Sequence, residues 1–193
     1  MFFFYNYNLG TGRKGFMNLK PGVEEKIKRI RVLILDVDGV LTDGSIWLGK
    51  TEELKRFDVH DGAGIKYLIR SGIQVAIISG RTSDAVTLRA QELGIKECLQ
   101  GCHKKLPAFL SLIERLGEPE DAVAFMGDDL TDLPLFNHCG LGIAPQDAVS
   151  EVKDRANLVA TRPGGHGVVR EVAEIILKVQ GKWESLLEAY LAQ

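Results

Sequence analysis

Residues 33–44 read LILDVDGVLTDG, and with Val32 ahead of them they start as an unbroken apolar run that stops at two aspartates one residue apart. Four apolar residues in a row leave no polar face for water. That is the mark of a strand covered on both sides, as in a parallel sheet with helices front and back. Asp36 and Asp38 then emerge at its carboxyl end, the edge where open α/β sheets bind ligands. In extended backbone, residues i and i+2 share a face, so both carboxylates can address one centre. Two like charges held that close call for a cation or a shared proton. Taken alone, Asp38-Gly39 also reads as an ordinary turn dipeptide and Asp36 as a solvated strand end. The rest of the chain decides between these readings.

Strand and helix patterns alternate around this segment. Helices are expected near 23–29, 62–70, 83–93, 104–116, 132–137, 148–153 and 167–179, and strands at 74–78, 97–99, 122–126, 141–143 and 157–160. Gly72 and Gly94 are read as helix stops. Such alternation predicts right-handed crossovers and an α/β fold with a doubly wound, mostly parallel sheet. Residues 45–58, SIWLGKTEELKRFD, alternate around Gly49 and predict a β-hairpin too short to be a cap domain. The expected organisation is a tail over 1–17, disordered or packed on a neighbouring subunit, one domain over 18–181, and a helical tail over 182–193.

A chain of 193 residues can bury a substantial core. Its 24 basic and 26 acidic residues leave a net charge of −2, no footprint for nucleic acid or an anionic membrane, so the expected partner is a small molecule. No stretch approaches the ~20 apolar residues of a membrane span. In MFFFYNYNLGTGRKGFM the basic residues follow the apolar patch, the reverse of a signal peptide. Three cysteines argue against a disulfide framework and fit a reducing cytoplasm. Cys98, Cys102, His103, His138 and Cys139 lack paired CxxC clasps, so buried thiols are expected in preference to zinc.

Three further segments carry the residue types of phosphoryl transfer. The strand at 74–78 runs into Ser79-Gly80-Arg81, a hydroxyl and backbone amides at the start of a helix, which suits an anion but also suits ordinary helix capping. Lys105 opens a helix, where the dipole disfavours a cation unless it faces an anion; with Lys104 beside it, a solvated pair is the plainer alternative. The strand at 122–126 ends in Gly127-Asp128-Asp129-Leu130-Thr131-Asp132, three carboxylates that no core tolerates uncompensated. With Asp36 and Asp38 they form an oxygen-rich set suited to Mg²⁺.

In this order, LILDVDGVLT, IISGR, the Lys105 of GCHKKL, and GDDLTDLP resemble the motifs of the haloacid dehalogenase superfamily of aspartate-nucleophile phosphatases. A receiver domain also gathers aspartates and a lysine, but its paired acids precede the phosphoacceptor strand. GVLTDG, FDVHDGAGI and GGHGVVREV narrow the resemblance to the capless branch acting on 3-deoxy-D-manno-octulosonate 8-phosphate (KDO 8-phosphate), in lipopolysaccharide precursor synthesis. The resemblance implies that Asp36 attacks phosphorus and that Asp38 protonates the leaving oxygen and later deprotonates water. It implies Mg²⁺ on Asp36, the backbone carbonyl of Asp38, and Asp128, with Asp129 reached through water. Ser79, Gly80 and Lys105 would hold the transferring oxygens. It also implies a homotetramer whose hairpins and chain ends complete neighbouring pockets. Asp132 is assigned to positioning Lys105 or the metal loop, Arg81 to the sugar carboxylate, and Thr42 to a structural hydroxyl.

Two positions depart from that branch's pattern: His60 and His166 stand where arginines are expected. If both line the pocket they weaken anion recognition, and a nine-carbon sugar acid phosphate becomes an alternative substrate. A non-catalytic domain that organises an oligomer is the alternative from another class. The GGHG segment is compatible with a pocket gate or a plain loop. Trp183, Leu186, Leu187, Tyr190 and Leu191 recur at helical spacing, as a packing or oligomer face requires.

Overall fold

The structure, a computed structural model, describes residues 6–7, 15–16, 19–50 and 52–192. The expected tail over 1–17 lies mostly outside the described residues; within it a two-stranded antiparallel ribbon pairs β1 (Asn6–Tyr7) with β2 (Gly15–Phe16). Helix α1 (Val23–Arg29) leads into β3 (Val32–Leu35). There follow the hairpin β4 (Trp47–Leu48) and β5 (Glu53–Leu54), then α2 (Val59–Arg70), β6 (Gln74–Ile78), α3 (Asp84–Leu93), β7 (Glu97–Leu99) and α4 (Lys105–Leu116). The second half contains β8 (Val123–Met126), α5 (Leu133–Phe136), β9 (Leu141–Ala144), α6 (Ser150–Arg155), β10 (Leu158–Val159), α7 (Val168–Val179) and α8 (Trp183–Leu191).

Six strands form one parallel sheet in the order β10-β9-β8-β3-β6-β7. From β3 the chain winds outward through β6 and β7, then returns to β8 and winds the other way, so the switch point falls between β3 and β8. All six carboxyl ends share one edge. Leu35 is paired with Ile77 on one side and Met126 on the other, which sets Asp36 between the segments that follow β6 and β8.

The unbroken apolar run of β3 is explained by its two covered faces. Leu33 and Leu35 pack with Ile65, Leu68, Val172 and Ile176 of α2 and α7. Val32 and Ile34 point the other way, to Phe109 and Leu112 of α4 and Phe125 of β8. Side chains alternate across a strand, so a polar residue at any of the four would be buried.

Most expected elements match within two residues. Helix α2 is the exception, starting at Val59 and not at 62, because the Asp58 carboxylate accepts from the amides of His60 and Asp61 and caps it earlier. The insertion after β3 is only the hairpin, and no cap domain is present among the described residues. Helix α8 folds back on the domain, with Trp183 and Tyr190 edge-on to Tyr67 at 6.2 and 5.6 Å between ring centroids. Leu191 stays exposed. No helix among the described residues is long and apolar enough to cross a membrane.

Candidate active site

The carboxyl ends of β3 and β8 and the first turn of α4 meet at one point. Asp36 leaves β3 with its amide donating to the Met126 carbonyl at 3.0 Å, and its side chain is almost fully buried. Lys105 reaches between two carboxylates, its Nζ 2.9 Å from Asp36 Oδ1 and 2.6 Å from Asp132 Oδ1. Asp132, with no exposure at all, spends its other oxygen on the amides of Asp128 and Asp129, at 3.0 and 3.3 Å. Asp132 thus contacts both Lys105 and the backbone of the Asp128 loop. Asp129 lies exposed at the start of the turn.

Asp128 lies over the glycine of the DVDG segment. Gly39 has φ +90°, and a Cβ there would sit 2.1 Å from Asp128 Oδ2. A glycine is required for both reasons, the backbone conformation and the close approach. Asp128 Oδ1 is buried and has no hydrogen-bond partner. Burial, then the nearby Asp36 and Asp132 carboxylates, push the Asp128 carboxyl up to about 8. Burial and Asp132 likewise raise Asp36 to about 6 against the pull of Lys105. Burial works against the charge on Lys105, but Asp36 and Asp132 outweigh it and hold the ammonium above its usual range.

One oxygen from each of Asp36, Asp128 and Asp132 lies within 4.8 Å of the others. Both oxygens of Asp132 are already engaged, which leaves Asp36 and Asp128 as the carboxylates free to bind an ion. A buried, unpartnered carboxylate oxygen beside a second carboxylate fits a hard divalent cation such as Mg²⁺.

A family model for haloacid dehalogenase-like hydrolases matches residues 97–172. The 3-deoxy-D-manno-octulosonate 8-phosphate phosphatase KdsC of Salmonella typhimurium is 47% identical over 165 residues, covering 85% of this chain and 88% of that protein. The chain belongs to the haloacid dehalogenase superfamily. Its place is in the branch of these phosphatases. The crystal structure of the Yersinia pestis 3-deoxy-D-manno-octulosonate 8-phosphate phosphatase superposes with a TM-score of 0.85 at 41% identity, covering 94% of this chain and 96% of that one. The Moraxella catarrhalis phosphatase, solved in complex with magnesium ion, phosphate ion and a KDO molecule, gives a TM-score of 0.85 at 39% identity, covering 87% of this chain and 97% of that one.

The remaining positions singled out by the superfamily motifs divide. Ser79 is buried at the end of β6, its Oγ accepting from the Arg81 amide at 3.3 Å. Helix α3 begins only at Asp84, however, so Gly80 and its neighbours belong to a loop and not to a helix N-terminus as the motif suggested. Thr42 is a structural hydroxyl, buried with Oγ1 donating to Val37 O at 3.4 Å and accepting from the Gly44 amide. Arg81 turns to the hairpin, with Nη2 2.6 Å from Glu53 Oε2 and Nε 3.6 Å from Asp38 Oδ2. His166 lies against Arg56 of the hairpin, at 3.1 Å from Nε2. His60 is mostly exposed and 3.6 Å from Asp58, which caps its helix. The GGHG segment packs against the loop that follows β3. Gly165 N donates to Val40 O at 2.9 Å, Gly164 N to Asp147 Oδ1 at 2.9 Å, and a Cβ on Gly164 would sit 1.9 Å from Gly39 O. The three cysteines are free and half-buried, and the metal-competent group among the described residues holds aspartates only.

Sequence reasoning passed over Glu53 and Lys55. Lys55 Nζ is 2.5 Å from Asp38 Oδ1 and 3.2 Å from Glu53 Oε1, with its side chain only 1% exposed. Period-two spacing in a hairpin puts residues 53 and 55 on one face, and that signal was present. Asp61 was also missed. It caps α7 from α2, with Oδ2 accepting from the Gly167 amide at 3.1 Å and Oδ1 from the Arg170 amide at 2.8 Å.

Proposed function

We propose that this chain is a Mg²⁺-dependent phosphomonoesterase that hydrolyses KDO 8-phosphate to the free sugar acid and phosphate through an aspartyl-phosphate intermediate. The observation that carries this reading is the buried Asp36 carboxylate, held by Lys105 beside the unpartnered oxygen of Asp128 at the switch point of the sheet. Asp36, the backbone carbonyl of Asp38, and Asp128 would hold the metal, which supplies charge to offset the repulsion between carboxylate and phosphate. Asp36 attacks phosphorus as the bond to the sugar oxygen breaks, and Asp38 gives that oxygen its proton. Asp38 then takes a proton from the water that cleaves the acyl phosphate.

Ser79, the Gly80 loop and Lys105 cradle the transferring oxygens, and Asp132 keeps Lys105 in place. Asp129, at the mouth of the site, serves the metal through water. Arg81 serves the sugar carboxylate, since its half-exposed guanidinium sits beside Asp38. His166 sits at the rim, where the adjoining Arg56 supplies the guanidinium that the histidine lacks; His60, exposed in the first turn of α2, keeps its place among the substrate-facing candidates. A cytoplasmic homotetramer, in which the exposed Trp47 and Leu48 of the hairpin meet a neighbour, is part of this reading. Phosphate release by malachite green from eight- and nine-carbon sugar acid phosphates, with Mg²⁺ and with EDTA, tests it. Mg²⁺-dependent release from the eight-carbon ester is expected, with loss of turnover but not of fold in Asp36→Asn. Release that survives EDTA, or near-wild-type activity in Asp36→Asn, refutes it.

A further inference from the structure

We infer that Lys55 is a positioning residue that decides which oxygen of Asp38 carries the proton to the departing sugar, an inference that rests on the function proposed above. Lysine is a donor only. With Nζ at 2.5 Å, Asp38 Oδ1 is committed to accepting, and a proton on that oxygen would point into another N–H. The transferable proton is therefore confined to Oδ2. Arg81 Nε stands 3.6 Å from Oδ2, beyond hydrogen-bond distance, so it adds charge there without occupying the oxygen.

Glu53 closes the arrangement. Its Oε1 lies 3.2 Å from Lys55 Nζ and its Oε2 2.6 Å from Arg81 Nη2, so that Asp38, Lys55, Glu53 and Arg81 alternate in sign around a ring. Against a burial penalty that would raise it, the Arg81 hydrogen bond and the adjoining Lys55 charge hold the Glu53 carboxyl below its ordinary range. The hairpin's apolar side chains go to water, with Trp47 63% and Leu54 56% exposed, while the Lys55 side chain is withdrawn to 1%. A lysine just past a two-residue strand would ordinarily extend into solvent. Here the outward face takes the apolar groups and the inward face the charges, as a strand whose polar residues serve the site requires.

In the step concerned, Asp36 forms a bond to phosphorus and the bond from phosphorus to the sugar oxygen breaks. The electron pair stays on that oxygen, which takes the proton from Asp38 Oδ2. A misplaced proton matters little for a leaving group that departs as a stable anion and much for one that cannot. The test is kcat/KM of the Mg²⁺-loaded enzyme across substituted phenyl phosphates, from p-nitrophenyl to unsubstituted phenyl. These esters carry no sugar, so a lost sugar contact cannot change the slope.

Lys55→Met is expected to lose less than about threefold on the p-nitrophenyl ester and at least about tenfold more on the phenyl ester, a share of what a general acid supplies. Lys55→Arg is expected to restore the wild-type slope. Parallel losses across the series, or none, overturn the role of Lys55 and leave the proposed function standing. A wild-type enzyme that releases phosphate from none of these esters or from KDO 8-phosphate overturns both. Should Lys55→Met fail to melt cooperatively, Glu53→Gln is expected to steepen the same slope by a smaller amount, and an unchanged slope there overturns the inference.

Discussion

Replacing Asp128 by Asn should make the metal-free protein more stable at alkaline pH while removing its response to Mg²⁺. The Asp128 carboxyl is held at about 8 by burial and by Asp36 and Asp132, whereas in the unfolded chain it titrates near 3.9. The folded state therefore keeps a proton that the unfolded state releases. The stability tied to that proton is fully present below about pH 4 and is lost as pH rises to about 8. Between pH 5 and pH 8 the loss approaches three pH units at 1.36 kcal/mol each, about 4 kcal/mol. Asp36, raised to about 6, adds a smaller loss at the lower end of the same window. Asn fills the same space without a charge, so the variant is expected to exceed the metal-free wild type by about 2–4 kcal/mol at pH 8, or about 5–15 °C in Tm for a chain of this size. Below pH 5 the two should converge. Thermal melts in EDTA across this range measure the difference, and a repeat with Mg²⁺ should reverse the order by raising the wild type alone. A wild-type Tm that stays flat from pH 5 to pH 8 in EDTA, or equal Mg²⁺ protection of both proteins, would refute the reasoning.

Lys105→Met leaves Asp36 and Asp132 buried without their shared cation, and breaking such a group costs about 3–5 kcal/mol. Urea denaturation should show that loss, and inhibition by inorganic phosphate should weaken in parallel. Gly39→Ala places a Cβ into Asp128 at a φ of +90°, so activity and Mg²⁺-induced thermal protection should fall together; retention of either separates Gly39 from the metal site.

The fold was legible because β3 announces two covered faces in four apolar residues, and the alternation behind it leaves little topological choice. Asp36, Asp128 and Lys105 were legible for a related reason. Each is a charge at the end of an apolar element, where it is costly unless used. Glu53 and Lys55 escaped notice because charged residues on a short polar hairpin are the commonest solvated groups of all. Only the docking of that hairpin beside Asp38 distinguishes them, and docking is a tertiary fact. The role of Asp61 was hidden likewise, since the amides it caps belong to a helix at the other end of the chain. The glycines of the GGHG segment were compatible with a pocket gate or a plain loop. In the structure they are small because the backbone of residues 39–42 lies against them.

That last arrangement has a consequence for synthesis. Gly164 and Gly165 form the wall behind the loop that carries Asp36 and Asp38, and they emerge from the ribosome after all six strands of the sheet. A nascent or truncated chain ending before them can assemble most of its strands yet leave that loop without its backing. The packing of that loop would thus be completed only once residues 164 and 165 are in place.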